Sequence, residues 1–189
     1  KLDITSMASI KEALKYPFAN FARLFNYWWI LVPVWGWLVA SGYGLRVYEE
    51  IIKGKDKELP AIRPFTGLFK EGFFLIVVML VLQIAVFIIA LIPLLGWVGN
   101  VYYILIAPVL VAQIAVTKKI GDGLNVVDAS KVVFNNFGEW IITFLKSLVV
   151  VLIWLIASIP IITMVVTIPA ISWSQSYLWA NYYREATKK

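Results

Sequence analysis

Residues 72–117 read GFFLIVVMLVLQIAVFIIALIPLLGWVGNVYYILIAPVLVAQIAVT, 46 residues without one charged side chain. An α-helix rises about 1.5 Å per residue and a bilayer's hydrocarbon core is about 30 Å thick, so one crossing takes about 20 residues. The stretch therefore holds two crossings joined by an uncharged turn. Ile92-Pro93-Leu94-Leu95-Gly96-Trp97-Val98-Gly99-Asn100 supplies it. Proline and glycine break a helix there, and Asn100 starts the next one.

Two further tracts carry no charge: residues 24–45, 22 long, and 147–183, 37 long. By the same arithmetic they hold one crossing and two. The expected fold is all-α, a polytopic transmembrane helical bundle of about five spans, at 25–47, 72–92, 99–117, 146–167 and 169–185. The last tract offers two turns, at Pro160 or Pro169. A turn at Pro160 puts Lys146 well inside a span, where a charge costs about 2.5–3.5 kcal/mol or more. A turn at Pro169 leaves Lys146 at the interface, free to snorkel to headgroups. Pro169 is then the first residue of its helix, a position that tolerates proline. The second arrangement is preferred and the first stays open.

Composition agrees. Of 189 residues, 61% are hydrophobic and 15% charged, against about half and a quarter in soluble domains. The net charge of +6 reads as basic flanks of membrane spans. With no basic stripe or nucleic-acid motif, no nucleic-acid partner is expected. The chain has no Cys and no His, which removes disulfides, thiol nucleophiles, histidine bases and ordinary zinc sites. Residues 1–6 precede Met7 and fit nothing that follows. They are expected to be a remnant, with 7–189 a single transmembrane domain.

The chain repeats itself imperfectly. Glu12-Ala13-Leu14-Lys15 leads to Phe18, Asn20 and Phe21; Asp128-Ala129-Ser130-Lys131 leads to Phe134, Asn136 and Phe137, each 116 residues on. Both copies predict interfacial amphipathic helices, over about 9–24 and 126–144. In the second, Asp128, Lys131, Asn135 and Glu139 share one face and Val133, Phe137, Trp140 and Phe144 the other. A second repeat, offset by 136, aligns Gly36, Ala40 and Gly44 with Ser172, Ser176 and Ala180. Small residues every four positions make a stripe where another helix can approach closely, so these six are expected to be helix-packing positions.

Five spans place Lys1, Lys11, Lys15 and Arg23 on one side and the other 13 basic residues opposite. The positive-inside rule then makes the larger set cytoplasmic and the N-terminus external. The alternative is a shallow re-entrant hairpin around Pro33, which would put all 17 basic residues on the cytoplasmic side.

Glu-Ala-Leu-Lys-Tyr-Pro-Phe at 12–18, Gly42-Tyr43-Gly44-Leu45-Arg46-Val47, Leu59-Pro60 and Phe69-Lys70-Glu71-Gly72 together resemble a family of multi-pass prokaryotic membrane proteins, domain of unknown function 4013. The resemblance implies a polytopic bundle in the cell membrane and carries no catalytic residue. Ser176-Tyr177-Leu178-Trp179-Ala180 departs from the glycine-containing ending of that pattern. The interfacial-helix-plus-span arrangement is also similar to membrane domains of glycerophosphodiester phosphodiesterases.

The intramembrane polar residues are Gln83, Gln113 and Asn181, beside serines and threonines. Gln83 and Gln113 are expected to bond across their hairpin. No charge near mid-span argues against proton- or sodium-coupled transport. The loop 46–71 is the most polar part; its carboxylates match no metal loop, and no cofactor is expected. Lys53, Lys55, Lys57 and Lys146 are candidates for lipid headgroups. Trp28, Trp29, Trp35, Trp37, Trp97, Tyr102, Tyr103, Trp173, Trp179, Tyr182 and Tyr183 read as an aromatic belt. The expected function is a non-enzymatic structural or partner-binding membrane subunit that self-associates or joins another subunit among membrane lipids. A channel or facilitator lined by Gln83 and Gln113, and a lipid-headgroup enzyme using Glu49 and Glu50, are the alternatives.

Overall fold

The computed structural model describes residues 8–62 and 64–188. Residues 1–6, Met7 and Arg63 lie outside the described residues. The fold is an all-α bundle, with no strand among the described residues.

The N-terminal segment is a chain of short pieces: α1 (Ile10–Lys15), a 3-10 turn (Tyr16–Phe18), α2 (Phe21–Leu24) and a 3-10 stretch (Phe25–Leu31). Each break has a local cause. Ser9 and Glu12 form a reciprocal capping box that starts α1. Pro17 stands in the 3-10 turn, and the Asn20 side chain accepts from the Arg23 N–H to start α2. The second repeat copy is built alike. Asn125 caps α7 (Val126–Asn135), and Asn136 divides it from α8 (Phe137–Ala157). The predicted interfacial helix 126–144 thus ends at Asn135, and residues 137–144 belong to α8.

The predicted first span, 25–47, is not one helix. The 3-10 stretch stops at Leu31, and α3 runs Trp35–Ile52. Between them the Trp35 N–H donates to the Pro33 carbonyl at 2.7 Å, and Val34 has φ 60° and ψ −65°. This is a γ-turn of the rare positive-φ form. The chain doubles back on itself: both limbs lie along α9 (Met164–Thr187), with the Trp173 indole donating to Leu24 and its ring 5.1 Å from that of Tyr43.

The second apolar tract forms α4 (Phe65–Ala90) and α5 (Pro93–Thr117), joined by only Leu91 and Ile92. Proline at the first position of α5 needs no hydrogen-bond partner for its nitrogen. The helices are longer than predicted (72–92 and 99–117), and the turn is tighter, because Gly96 and Gly99 lie inside α5. The short α6 (Ile120–Gly123) links α5 to α7.

The last tract turns at Ser158–Pro160, not at Pro169. α8 ends at Ala157, a 3-10 turn covers Ile161–Thr163, and α9 carries Pro169 inside it. The predicted spans 146–167 and 169–185 are corrected accordingly. Two compensations make this arrangement possible. Lys146, ten residues into α8, donates to the Ala8 carbonyl at 2.9 Å, so its ammonium is met by the start of α1. Pro169 removes the N–H that would bond the Val165 carbonyl, and the Trp28 indole donates to that oxygen instead, at 3.0 Å. Elsewhere, in α5, the Trp140 indole donates to the Leu105 carbonyl.

Two buried clusters hold the bundle. One gathers Ala13, Tyr16, Leu24 and Leu59 with Tyr43, Val47 and Trp173; the other gathers Val78, Ile106, Leu110 and Ile114 with Val133, Trp140 and Trp179. Helices α4, α5 (from Leu95) and α8 are long and apolar enough to cross a membrane.

Candidate functional site

Polar groups converge on the loop that joins α3 to α4. Lys118 closes the C-terminus of α5 in the left-handed region, φ 57°, where glycine is the usual residue. Its ammonium reaches Glu49 at 2.6 Å and Glu71 at 2.9 Å, tying the ends of α3, α4 and α5 together. Lys53 completes the group through Glu49. Burial works to raise the Glu49 carboxyl, but hydrogen bonds from Lys118 and Lys53 outweigh it and hold the group below its ordinary value. Glu71 keeps one buried oxygen, Oε2, without a hydrogen-bond partner among the described residues. Arg184 on α9 binds Asp56 at 3.2 Å and the Ile51 carbonyl at 2.9 Å.

Beside this network lies a cavity of about 460 Å³. Arg23, Arg46 and Lys55 line it with Glu50, Glu58 and the Pro60–Ala61 backbone. The Arg23 guanidinium donates to the Leu59 carbonyl and stands 3.5 Å from Glu58. Arg46 donates to the Ala61 carbonyl at 3.3 Å, and Lys55 pairs with Glu50 at 3.4 Å. Arg23 therefore sits with the loop's charges. The five-span reading placed it on the opposite side; the γ-turn is what brings it back. The apolar segment between Arg23 and Arg46 reverses, as the re-entrant alternative requires.

The predicted polar pair inside the second tract does not form. Gln113 is 8% exposed with its Oε1 unpartnered, whereas Gln83 is exposed on α4 among Leu80, Ile84 and Phe87. Gln113 thus belongs to the core and Gln83 to the outer surface. Asn181 is buried and donates to the Tyr177 carbonyl one turn back.

Of the small-residue positions, Gly36 packs against the Trp29 carbonyl, inside the hairpin. Gly44 faces open space: a Cβ there would meet nothing within 4 Å. Ala40 and Ser172 are half-buried, and Ser176 and Ala180 are buried in α9. Equally close backbone approaches join α3 to α4. A Cβ at Gly42 would overlap the Leu68 carbonyl, and one at Gly72 the Leu38 carbonyl. The pattern Leu-x-x-x-Gly at 38–42 and again at 68–72 is the signal that would have found them.

Among the headgroup candidates, Lys55 lines the cavity, Lys57 is exposed, Lys53 is held by Glu49 and Lys146 by Ala8. Arg23 and Arg46 were missed, because nothing local in the sequence joins residues 23 apart. The aromatic belt is partly core: Trp173, Trp179 and Tyr182 are buried, whereas Trp35, Trp37 and Trp97 are exposed. Glu49 and Glu50, the proposed enzyme's carboxylates, are engaged by lysines. The described residues contain no group of three or more carboxylates placed to hold a metal.

The sequence model of the family described as "Protein of unknown function (DUF4013)" matches residues 25–103. Over that segment, less than half of the chain, the sequence resembles this family, as its motifs lead one to expect. The DUF4013 segment covers the re-entrant hairpin, the polar loop, all of α4 and the first part of α5. No curated protein and no solved structure matches the chain, and the similarity to glycerophosphodiester phosphodiesterase membrane domains is not shown. The chain is a membrane protein with helices apolar enough to span a bilayer.

Proposed function

We propose that this is a non-enzymatic, multi-pass subunit of the cell membrane that works by self-association. One observation carries the reading: Gln83. It stands near the middle of the apolar run 72–92, and its amide points out of the bundle among exposed Leu80, Ile84 and Phe87, which are 58%, 51% and 65% exposed. Hydrocarbon offers an amide no partner. A second copy does, because an amide both donates and accepts and so complements itself across a twofold axis. Such bonds contribute about 0.6 kcal/mol on average in membranes, and the flanking apolar side chains add packing.

Single-molecule subunit counting in lipid bilayers, at varied dilution, tests this. The expected result is a dimer or higher homo-oligomer, with dissociation about threefold easier for Gln83→Leu. A protein that stays monomeric at every density, or a Gln83→Leu variant that associates as strongly as the parent, overturns it.

A further inference from the structure

We infer that the cavity between Arg23, Arg46 and Lys55 is a binding site for the phosphate of an anionic membrane lipid. Three cations against two carboxylates, Glu50 and Glu58, leave the lining net positive. The two guanidinium groups are positioned by backbone carbonyls, Leu59 for Arg23 and Ala61 for Arg46. Planar forks of this kind match the geometry of phosphate oxygens. Lys55, 69% exposed at its side chain, adds a mobile ammonium at the mouth. A volume of about 460 Å³ admits a phosphate with its glyceryl or small alcohol substituent.

The source of the phosphate follows from where the cavity lies. Arg23 is two residues from Phe25, where the uncharged limb of the hairpin begins, and Ile30, Leu31 and Val32 on that limb are exposed. A headgroup held at the guanidinium groups thus has an apolar surface beside it for its acyl chains. A free phosphate ester would gain nothing from that surface. The inference rests on the membrane setting and not on self-association through Gln83, so either can fail alone.

Native mass spectrometry of the detergent-solubilised full chain, titrated separately with phosphatidic acid, phosphatidylcholine and inorganic phosphate, tests it. The parent should retain phosphatidic acid in preference to phosphatidylcholine and should not retain inorganic phosphate. Arg23→Gln and Arg46→Gln should each weaken phosphatidic acid binding about tenfold, the loss expected for one charge-assisted hydrogen bond. Lys131→Gln, exposed on α7 beside Asp128 and outside the cavity, should leave it unchanged. Lys55→Gln, whose exposed side chain carries little risk to folding, should weaken it about threefold and serves if either arginine variant fails to fold. Equal retention of the two lipids, no loss in the Lys55 and arginine variants, or equal loss in Lys131→Gln overturns the site. Saturation by inorganic phosphate at the same affinity overturns the lipid as its ligand.

Discussion

At the scale of single residues, the chain spends unusual conformations and indole groups where its prolines and turns demand them. Val34 holds a positive φ that disfavours a β-branched side chain, a strain of about 1–3 kcal/mol. Glycine relieves that strain and costs about 0.5–1 kcal/mol in chain entropy. Val34→Gly should therefore stabilise the protein by about 1 kcal/mol, read as a higher melting temperature in detergent. Trp28 answers the carbonyl that Pro169 leaves unbonded. Trp28→Phe keeps an aromatic ring but deletes the donor, and should destabilise by about 1–2 kcal/mol. Trp37→Phe, at an exposed ring, should stay within about 0.5 kcal/mol. Equal melting shifts in the two tryptophan variants would mean that the indole bond contributes nothing.

At the scale of elements, what the sequence made legible was whatever depends on local chemistry. The uncharged tracts gave the hairpin of α4 and α5, whereas the repeated Phe-x-Asn-Phe pattern, expected inside continuous helices over 9–24 and 126–144, stands at breaks, Asn20 and Asn136. Two features of the fold run against local expectation for the same reason. A turn at Pro160 puts Lys146 within a helix, and a reversal at Pro33 interrupts an uncharged tract long enough to cross. Both look unfavourable only for one helix surrounded by lipid alone. Partners more than a hundred residues away decide the matter: Ala8 meets Lys146, and Trp28 meets Val165. The cavity's arginines were hidden likewise, since only a reversal between them brings them together. Within the small-residue stripe Gly36 makes a close backbone contact and Gly44 makes none, because several stripes coexist in Gly- and Ala-rich helices. Gly42→Leu should separate α3 from α4 and cost about 3 kcal/mol, whereas Gly44→Leu should be nearly neutral. Equilibrium unfolding of both variants in mixed micelles distinguishes them, and comparable losses would refute the assigned contact.

At the scale of the whole molecule, the polar network around Lys118 locks three helices at one junction. Glu49 has its folded-state pKa depressed below an ordinary value of 4.5. A depressed carboxyl contributes stability that is fully present above the unfolded value and is lost as pH falls through the folded one. Melting temperature should thus drop as pH is lowered below about 4.5, and Glu49→Gln should melt lower at neutral pH with a flatter acid profile. Parallel profiles for parent and variant would remove Glu49 from the account.

The two-residue link between α4 and α5, and the Ser158–Thr163 connection between α8 and α9, contain no ionisable side chain. Biogenesis feels this directly. The first pair can enter the bilayer as a preformed hairpin, tip first, without dragging a charge through oil, whereas α8 of the second carries Lys146 part-way along it. Which way the first pair faces is then decided by its feet alone, by Lys70 and Glu71 at one leg and Lys118 and Lys119 at the other.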